Sequence, residues 1–415
     1  MTTSAVNICL NQIPGFSTGS SDSDTLKLSK HECVTENNQT YKVIKYDKNI
    51  LCIDIIPTYG LCRSVIVNKE GQVLCYSPPK SYPSDIFIKS YPDNPTKTES
   101  IIAQEYVEGT MINVFWDKNI GLNGAWEIST RNTVGAVSSF YKSTNSKTFR
   151  TMFLEAAREN GFDLLFLNTN YCYSFVLQHP ENRIVVPFKT PQLYLIAVYS
   201  INNTDKNNII VTVENMKEVQ NTQYFSFTKI KFPETYEYNT YSELIEKYAS
   251  MNTPYDVLGV VLYNEHTGER TKIRNPVYEE VRQLRGNQPK LQYQYLSLRR
   301  TGEVSNFLNF YPEHKKEFSQ FRDQVHLFTE TLFDNYISCY IKKEKPLKEF
   351  SHQYRTHMFH LHQKYMNELR EKKMFITKWV VINYVNLIHP TLLMYCLNYN
   401  LRKRNIDFIK ADSEV

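Results

Sequence analysis

Between about Tyr41 and Lys290, short runs of β-branched and aromatic residues recur at strand length: YKVIKY, ILCIDII, CRSVIVN, GQVLCY, GTMINVFW, WEISTR, YSFVLQ, NRIVVPF, LYLIAVYSI, NIIVTVEN and DVLGVVLYN. Turn residues such as NKEG, INNTD and HTGE separate them. Two stretches break this pattern with helical spacing. TFRTMFLEAARENG closes on a glycine stop, and TYSELIEKYASM follows later. After about Gly302 the period changes: PEHKKEFSQFRDQVHLFTETLFDNYISCYIKK, PLKEFSHQYRTHMFHLHQKYMNELREKK and ITKWVVINYVNLI carry apolar residues three and four apart. Phe318, Phe321, Val325, Phe328, Leu332, Phe333 and Tyr336 share one helical face. The first thirty residues, rich in Ser, Thr and Asp, show neither period. The expected fold is therefore α+β, with antiparallel sheets followed by an all-helical C-terminal domain. Its expected division is a flexible leader over 1–35, a strand-rich domain over 36–298, a basic helical domain over 299–404 and a tail over 405–415.

Composition adds limits. A chain of 415 residues exceeds what one hydrophobic core usually serves, and 41% hydrophobic with 22% charged residues describes a folded protein. Mean hydropathy is −0.45. The most apolar stretch, Trp379 to Leu397, is interrupted by Asn383, Asn386, His389 and Pro390, so it reads as a buried helical segment and no membrane span is expected. No basic region followed by an apolar run marks a signal peptide. The 8 cysteines form no CxxC pair, which excludes a zinc ribbon and fits reduced thiols in the cytoplasm.

Net charge is only +5, but Arg299 to Arg404 holds 18 Lys and Arg against 10 Asp and Glu, leaving the rest slightly acidic. That asymmetry is that of an anion-facing third, or equally of a solvated helical surface rich in lysine.

The chemistry-bearing blocks are AQEYVEGTMINVFWD (Ala103–Asp117), WEISTRNTVGA, YSFVLQHPENRIVVPFKTPQLYLIAVYS (Tyr173–Ser200) and DVLGVVLYNEHTGERTKIRNP (Asp256–Pro276). Their order and spacing resemble the nucleotidyltransferase domain of the T-even phage RNA ligase 1-like family, relatives of DNA ligases and capping enzymes. The resemblance covers roughly Tyr41 to Leu291 and is most specific at HPENRIVVPF. It implies two antiparallel sheets around a cleft, ATP with Mg²⁺ if the chain is active, and RNA or another nucleic acid as partner. In that family a Lys-x-Asp-Gly lysine attacks the ATP α-phosphate and holds AMP as a phosphoramidate.

Position by position, the resemblance is uneven. The nucleophile's place falls on Tyr106, whose phenol does not substitute for an activated amine. Glu108 keeps a carboxylate. The family's ribose-binding glutamate becomes Val176, and its metal-binding Glu-Gly becomes Leu258-Gly259. Cationic positions persist: Arg63 and Lys80 upstream, Arg131 in STRNT, and Lys272 with Arg274 in place of the Lys-x-Lys that neutralises the α-phosphate. Ser64 replaces a glycine. Three readings follow. One is a catalytically degenerate ligase-like protein that binds RNA or nucleotide through a retained basic cleft. Another is an active ATP-dependent RNA ligase with a relocated nucleophile, Lys80 first and Lys89 behind it. The last is a scaffold, viral in setting, that kept only the fold.

Weaker signals remain. His357 and His360 stand three apart on a predicted helix, as a metal pair would, but His362 points elsewhere and no HExxH accompanies them, so no metal site is expected. Trp116 and Trp126 could stack on bases; cross-strand packing is the default in so tyrosine-rich a sheet. Arg282, Arg285, Lys290, Arg299 and Arg300 lie at the expected junction, either along a bound strand's exit or in a solvated linker.

Overall fold

The computed structural model describes residues 6–16, 27–93, 101–140, 146–204 and 208–402. The chain divides into two compact units, Met1–Glu280 and Val281–Val415, with the division earlier than the pattern change suggested. The strands, in chain order, are β1 (Val6–Cys9), β2 (Leu28–Val34), β3 (Thr40–Tyr46), β4 (Val65–Asn68), β5 (Val73–Cys75), β6 (Ile101–Glu105), β7 (Thr110–Asp117), β8 (Ala125–Ser129), β9 (Tyr171–Gln178), β10 (Gln192–Asn202), β11 (Ile210–Val213), β12 (Thr235–Tyr236), β13 (Gly259–Asn264) and β14 (Arg270–Arg274). The α+β class, the antiparallel pairing and the helical C-terminal region are as expected. Among the described residues the sheets number three rather than two: a six-stranded sheet in the order β1-β11-β10-β9-β7-β8, and two four-stranded sheets, β12-β6-β13-β14 and β2-β3-β4-β5.

The six-stranded sheet is covered on both faces, which is why its strands read as near-continuous apolar runs. Ile112, Val114, Phe175, Leu193 and Leu195 point to one side, where the helix Phe149–Glu159 lays down Met152, Phe153, Ala156 and Ala157. Thr148 caps that helix by accepting from the Thr151 amide, and Gly161 follows its end at φ +62°. On the other side Phe115, Cys172 and Tyr199 join Tyr41, Val43, Val65 and Tyr76 from the β2–β5 sheet. Trp116 and Trp126 are register partners on β7 and β8, with ring centroids 5.4 Å apart edge to face, so they serve cross-strand packing. In the third sheet Ala103, Val260 and Leu262 face Phe87, Tyr241 and Leu244 from flanking helices.

Three local expectations are corrected. The segment read as a leader contributes β1, which pairs with β11 some two hundred residues away, and β2; Leu10, Ile13 and Phe16 are buried. Residues 1–5 and 17–26 of that segment lie outside the described residues, as does the expected tail over 405–415. ILCIDII forms a 3₁₀ turn over Ile53–Ile55 instead of a strand, and NRIVVPF is loop following the turn Pro180–Asn182. Neither run pairs with a strand among the described residues, and hydrophobicity alone does not supply a partner.

In the second unit the longest helix, Lys315–Tyr336, buries Phe318, Val325, Phe328, Leu332 and Tyr336, the stripe the sequence predicts. Around it stand the helices Leu291–Thr301, Val304–Phe310, His352–Lys364, Lys378–Leu387 and Pro390–Leu397. No single helix among the described residues is long and apolar enough to cross a membrane; the last two pass such a test only as a pair bent by 115°.

Candidate functional site

β14 organises the site. Arg270, Lys272 and Arg274 alternate with Thr271 and Ile273, so a pleated strand sends all three cations to one face. Their register partners on β13 are Tyr263, Val261 and Gly259, while Ile273 turns to the apolar core on the opposite face. Gly259 sits at φ +134°, and a Cβ there would lie 2.1 Å from the Ile273 carbonyl oxygen, so the two strands approach too closely for any side chain. The segment after β5 runs beside β14. The Tyr82 amide donates to Arg270 O at 2.8 Å, the Thr271 hydroxyl to Tyr82 O at 2.9 Å, and the Arg270 guanidinium to Pro79 O at 2.6 Å. These bonds fix Lys80, whose own amide donates to Gly60 O at 2.8 Å and whose Nζ reaches Ser81 O at 3.3 Å.

Tyr106 follows β6 and lies under Lys272, with Nζ 4.6 Å from the ring centroid; its phenol is hydrogen-bonded to Arg274. Arg63, just before β4, and Arg131, just after β8, complete the group. Arg131 stacks 5.1 Å above the Tyr46 ring. The cations feel one another. Burial, then Arg270 and Arg131, pulls Arg63 down to about 10. Burial followed by Arg63 and Arg274 lowers Lys80. Lys272 is the extreme: burial first, then Arg270, Arg63, Arg274 and Lys80, brings its amine down to about 6. It is mostly neutral at pH 7.

The acidic side of the site is sparse. Glu108 is buried and already engaged. Its carboxylate accepts from the Val185 amide at 2.9 Å, the Val186 amide at 3.1 Å and the Tyr278 hydroxyl; burial raises its pKa although these bonds oppose the rise. The NRIVVPF loop thus ties down Glu108. Gly109 beside it, at φ +149°, lets β7 meet β9, because a Cβ would come within 2.5 Å of Leu177 O. Val176 packs with Val107 and Tyr194 in an apolar cluster, and Leu258 is buried. Glu279 is ion-paired with Arg274 at 2.9 Å. Among the described residues no group of three His, Cys, Asp or Glu side chains is arranged to hold a metal ion.

The structure therefore brings together Arg63, Lys80, Arg131, Lys272, Arg274 and Tyr106, with Glu108 held by backbone amides rather than turned to a ligand. Arg270 belongs with them and was not singled out from sequence. Its signal was the period-two alternation of RTKIR, which places it in line with Lys272 and Arg274. Lys89 lies exposed near the end of the helix Ser84–Ser90. In the second unit His357 is no metal ligand: it is buried, with Nδ1 2.8 Å from the Tyr384 hydroxyl and Nε2 3.3 Å from Cys396 Sγ. His360 shares Tyr384 at 3.3 Å, and His362 stacks on Tyr340 at 4.0 Å. Burial pushes His357 down to about 4, so it is a neutral core histidine.

Such a site gathers many cations on a β-rich frame beside few carboxylates, an arrangement whose chemistry suits an anion. No family model matches the chain. It is similar to an RNA ligase of Rhodothermus phage RM378, 27% identical over 206 residues covering 44% of this chain and 45% of that protein. It is also similar to an immediate-early protein ICP-46 homolog of Invertebrate iridescent virus 6, 24% identical over 286 residues covering 65% and 59%. The chain thus spans about half the length of the curated relatives it matches. Among solved structures, an archaeal ATP-dependent RNA ligase aligns with a TM-score of 0.37 at 12% identity, over 70% of this chain and 72% of that one. The sequence likenesses support the nucleotidyltransferase and RNA-ligase superfamily.

Proposed function

We propose that this is an RNA-ligase-like protein that binds the phosphates of RNA or a nucleotide through its cationic face, without lysyl-adenylate chemistry at the family's usual position. One observation carries the reading. β14 and the segments around it converge Arg63, Lys80, Arg131, Arg270, Lys272 and Arg274 where Tyr106 stands in the nucleophile's place. A phenol hydrogen-bonded to Arg274 under a lysine is a poor attacking group, and Val176 and Leu258 offer nothing to a metal ion. The residues present do not fit a Mg²⁺-dependent nucleotidyl transfer at Tyr106. Binding by phosphate contacts should fall steeply with salt, with a log–log slope of about −0.7 per contact for a single strand. This reading fits a virus-encoded protein working in the cytoplasm.

A second reading has one specific observation behind it. Lys272 carries the amine most depressed in the site, more so than Lys80, and a neutral amine among phosphate-binding cations is what a relocated nucleophile needs. The deciding experiment incubates purified protein with α-³²P-ATP, and separately α-³²P-GTP, with Mg²⁺ or Mn²⁺. Denaturing gels and peptide mass spectrometry follow, beside RNA binding by anisotropy across a salt series. No adduct with salt-sensitive RNA binding supports the first reading. An acid-labile adduct mapped to Lys272 establishes the second, and neither adduct nor binding leaves a scaffold.

A further inference from the structure

The turn that joins the helix His352–Lys364 to the helix Lys378–Leu387 holds apolar side chains outward. The first helix runs on through Tyr365–Leu369 and closes with the Met374 amide donating to Leu369 O at 3.0 Å and the Lys373 amide to Arg370 O at 3.1 Å. Lys373 takes the left-handed conformation there, at φ +53°, where glycine is the usual residue. Leu369 before the turn and Ile376 after it are buried, and Val380, Val381 and Val385 bury the inner face of the second helix. Thr377 caps that helix by accepting from the Val380 amide at 3.4 Å. These anchors fix what stands outside them. Met374 is exposed, as are Phe375 at 69% and Trp379 at 71%, and Ile382 follows three residues after Trp379 on the same helix face.

Such large apolar groups gain by leaving water, and their neighbours select what covers them. From Lys364 to Lys378 the sequence holds five Lys and Arg against two Glu. Lys364 and Lys378 are ion-paired with Glu368 and Glu330. Arg370, Lys372 and Lys373 are exposed and have no carboxylate partner among the described residues. Nucleic acid would match those charges but not Met374 and Ile382, which offer a base no ring to stack on. A lipid surface matches both. Aromatic residues settle at the headgroup boundary, aliphatic ones reach the acyl region, and lysines meet anionic headgroups. The helix carrying Trp379 and the one after it form an apolar pair bent by 115°, a shape suited to lying along a bilayer rather than crossing it.

We propose that the turn around Lys372–Trp379 docks the protein on the surface of a bilayer containing anionic phospholipid, with Phe375 and Trp379 at the headgroup boundary and Arg370, Lys372 and Lys373 facing the headgroup charge. The proposal stands apart from the phosphate-binding reading, because none of these residues belongs to the site around β14.

The test is co-sedimentation of the full chain with vesicles of phosphatidylcholine alone and of phosphatidylcholine with one-third phosphatidylserine. The expected result is partition onto the anionic vesicles about tenfold or more stronger than onto the neutral ones. Lipids brominated on the acyl chain should quench the parent's fluorescence, and the quenching should vanish in Trp379→Phe, where only Trp116 and Trp126 remain. Trp379→Ser and Phe375→Ser should each weaken partition roughly tenfold. Lys372→Gln combined with Lys373→Gln should weaken it roughly twentyfold. All four side chains are exposed, so circular dichroism should be unchanged and each variant checks the others. Equal partition onto both vesicles, or partition indifferent to the two aromatic variants, overturns the proposal. No partition onto the anionic vesicles also overturns it. The face then belongs to a second copy of this chain if sedimentation equilibrium shows a dimer that Trp379→Ser dissociates, or to nucleic acid if the aromatic variants weaken RNA binding by anisotropy.

Discussion

Replacing Lys272 with methionine isolates what its buried amine costs the fold. In the folded protein the group is held at about 6 by burial and by Arg270, Arg63, Arg274 and Lys80, against 10.5 as its ordinary value. Between those values the unfolded chain binds one proton more than the folded chain, so stability rises with pH across that window. Below about 6 the amine is charged in both states and the cost of burying it is complete. Towards 10.5 the cost disappears.

The limiting slope is about 1.4 kcal/mol per pH unit. Lys272 keeps some contact with solvent, and screening there narrows the pH window over which the proton difference holds without changing that slope. Urea unfolding at pH 7, 8 and 9 measures it. A Trp379→Phe background leaves only Trp116 and Trp126, both in the first unit, as fluorescent reporters. From pH 7 to 9 the parent should gain up to roughly 2.7 kcal/mol relative to Lys272→Met, twice the limiting slope. Lys272→Arg, charged throughout, should also lose the slope. Parallel curves for parent and methionine variant would mean that the amine is protonated in the folded state, and the account of a neutral lysine among arginines would be wrong.

Further outcomes follow from single contacts. Gly109→Ala should cost about 3 kcal/mol or more, since its Cβ would strike Leu177 O and Val176 Cγ1. Gly71→Ala, at φ +82° in open space, should cost only about 1 kcal/mol, and equal falls in Tm would refute the steric argument. His357→Ala should cost about 2 kcal/mol by opening a cavity and removing the partner of Cys396 and one of the two histidines that bond Tyr384. EDTA should leave the wild-type Tm unchanged, and a chelator-induced drop would place a metal where none is expected. Tyr106→Lys should form no adenylylated protein by intact mass, because Val176 and Leu258 still supply no carboxylate; a covalent AMP adduct would show that the nucleophile alone was missing.

Much of the strand-rich unit is legible in the order of its residues. Nine of the β-branched runs fall on strands because alternation and continuous burial are local properties, and the helix around Phe149–Glu159 announces both of its ends. The failures share a cause. ILCIDII and NRIVVPF have the composition of strands, but a strand exists only where a neighbouring edge accepts its hydrogen bonds. VNIC at Val6–Cys9 has little local signal, yet β11 supplies that edge.

The same division runs through the site. The sequence alone determined which side chains are cationic, that a tyrosine stands at position 106, and that Arg270, Lys272 and Arg274 stand two apart. Those facts belong to residue identity and to the period of a strand. Only the tertiary structure decided that Arg63 and Lys80, about two hundred residues before β14, close on the same space. It also committed Glu108 to backbone amides and left Lys272 under the combined field of its neighbours. Coulombic influence and desolvation depend on distance and on what surrounds a group, and neither is a property of position along a chain.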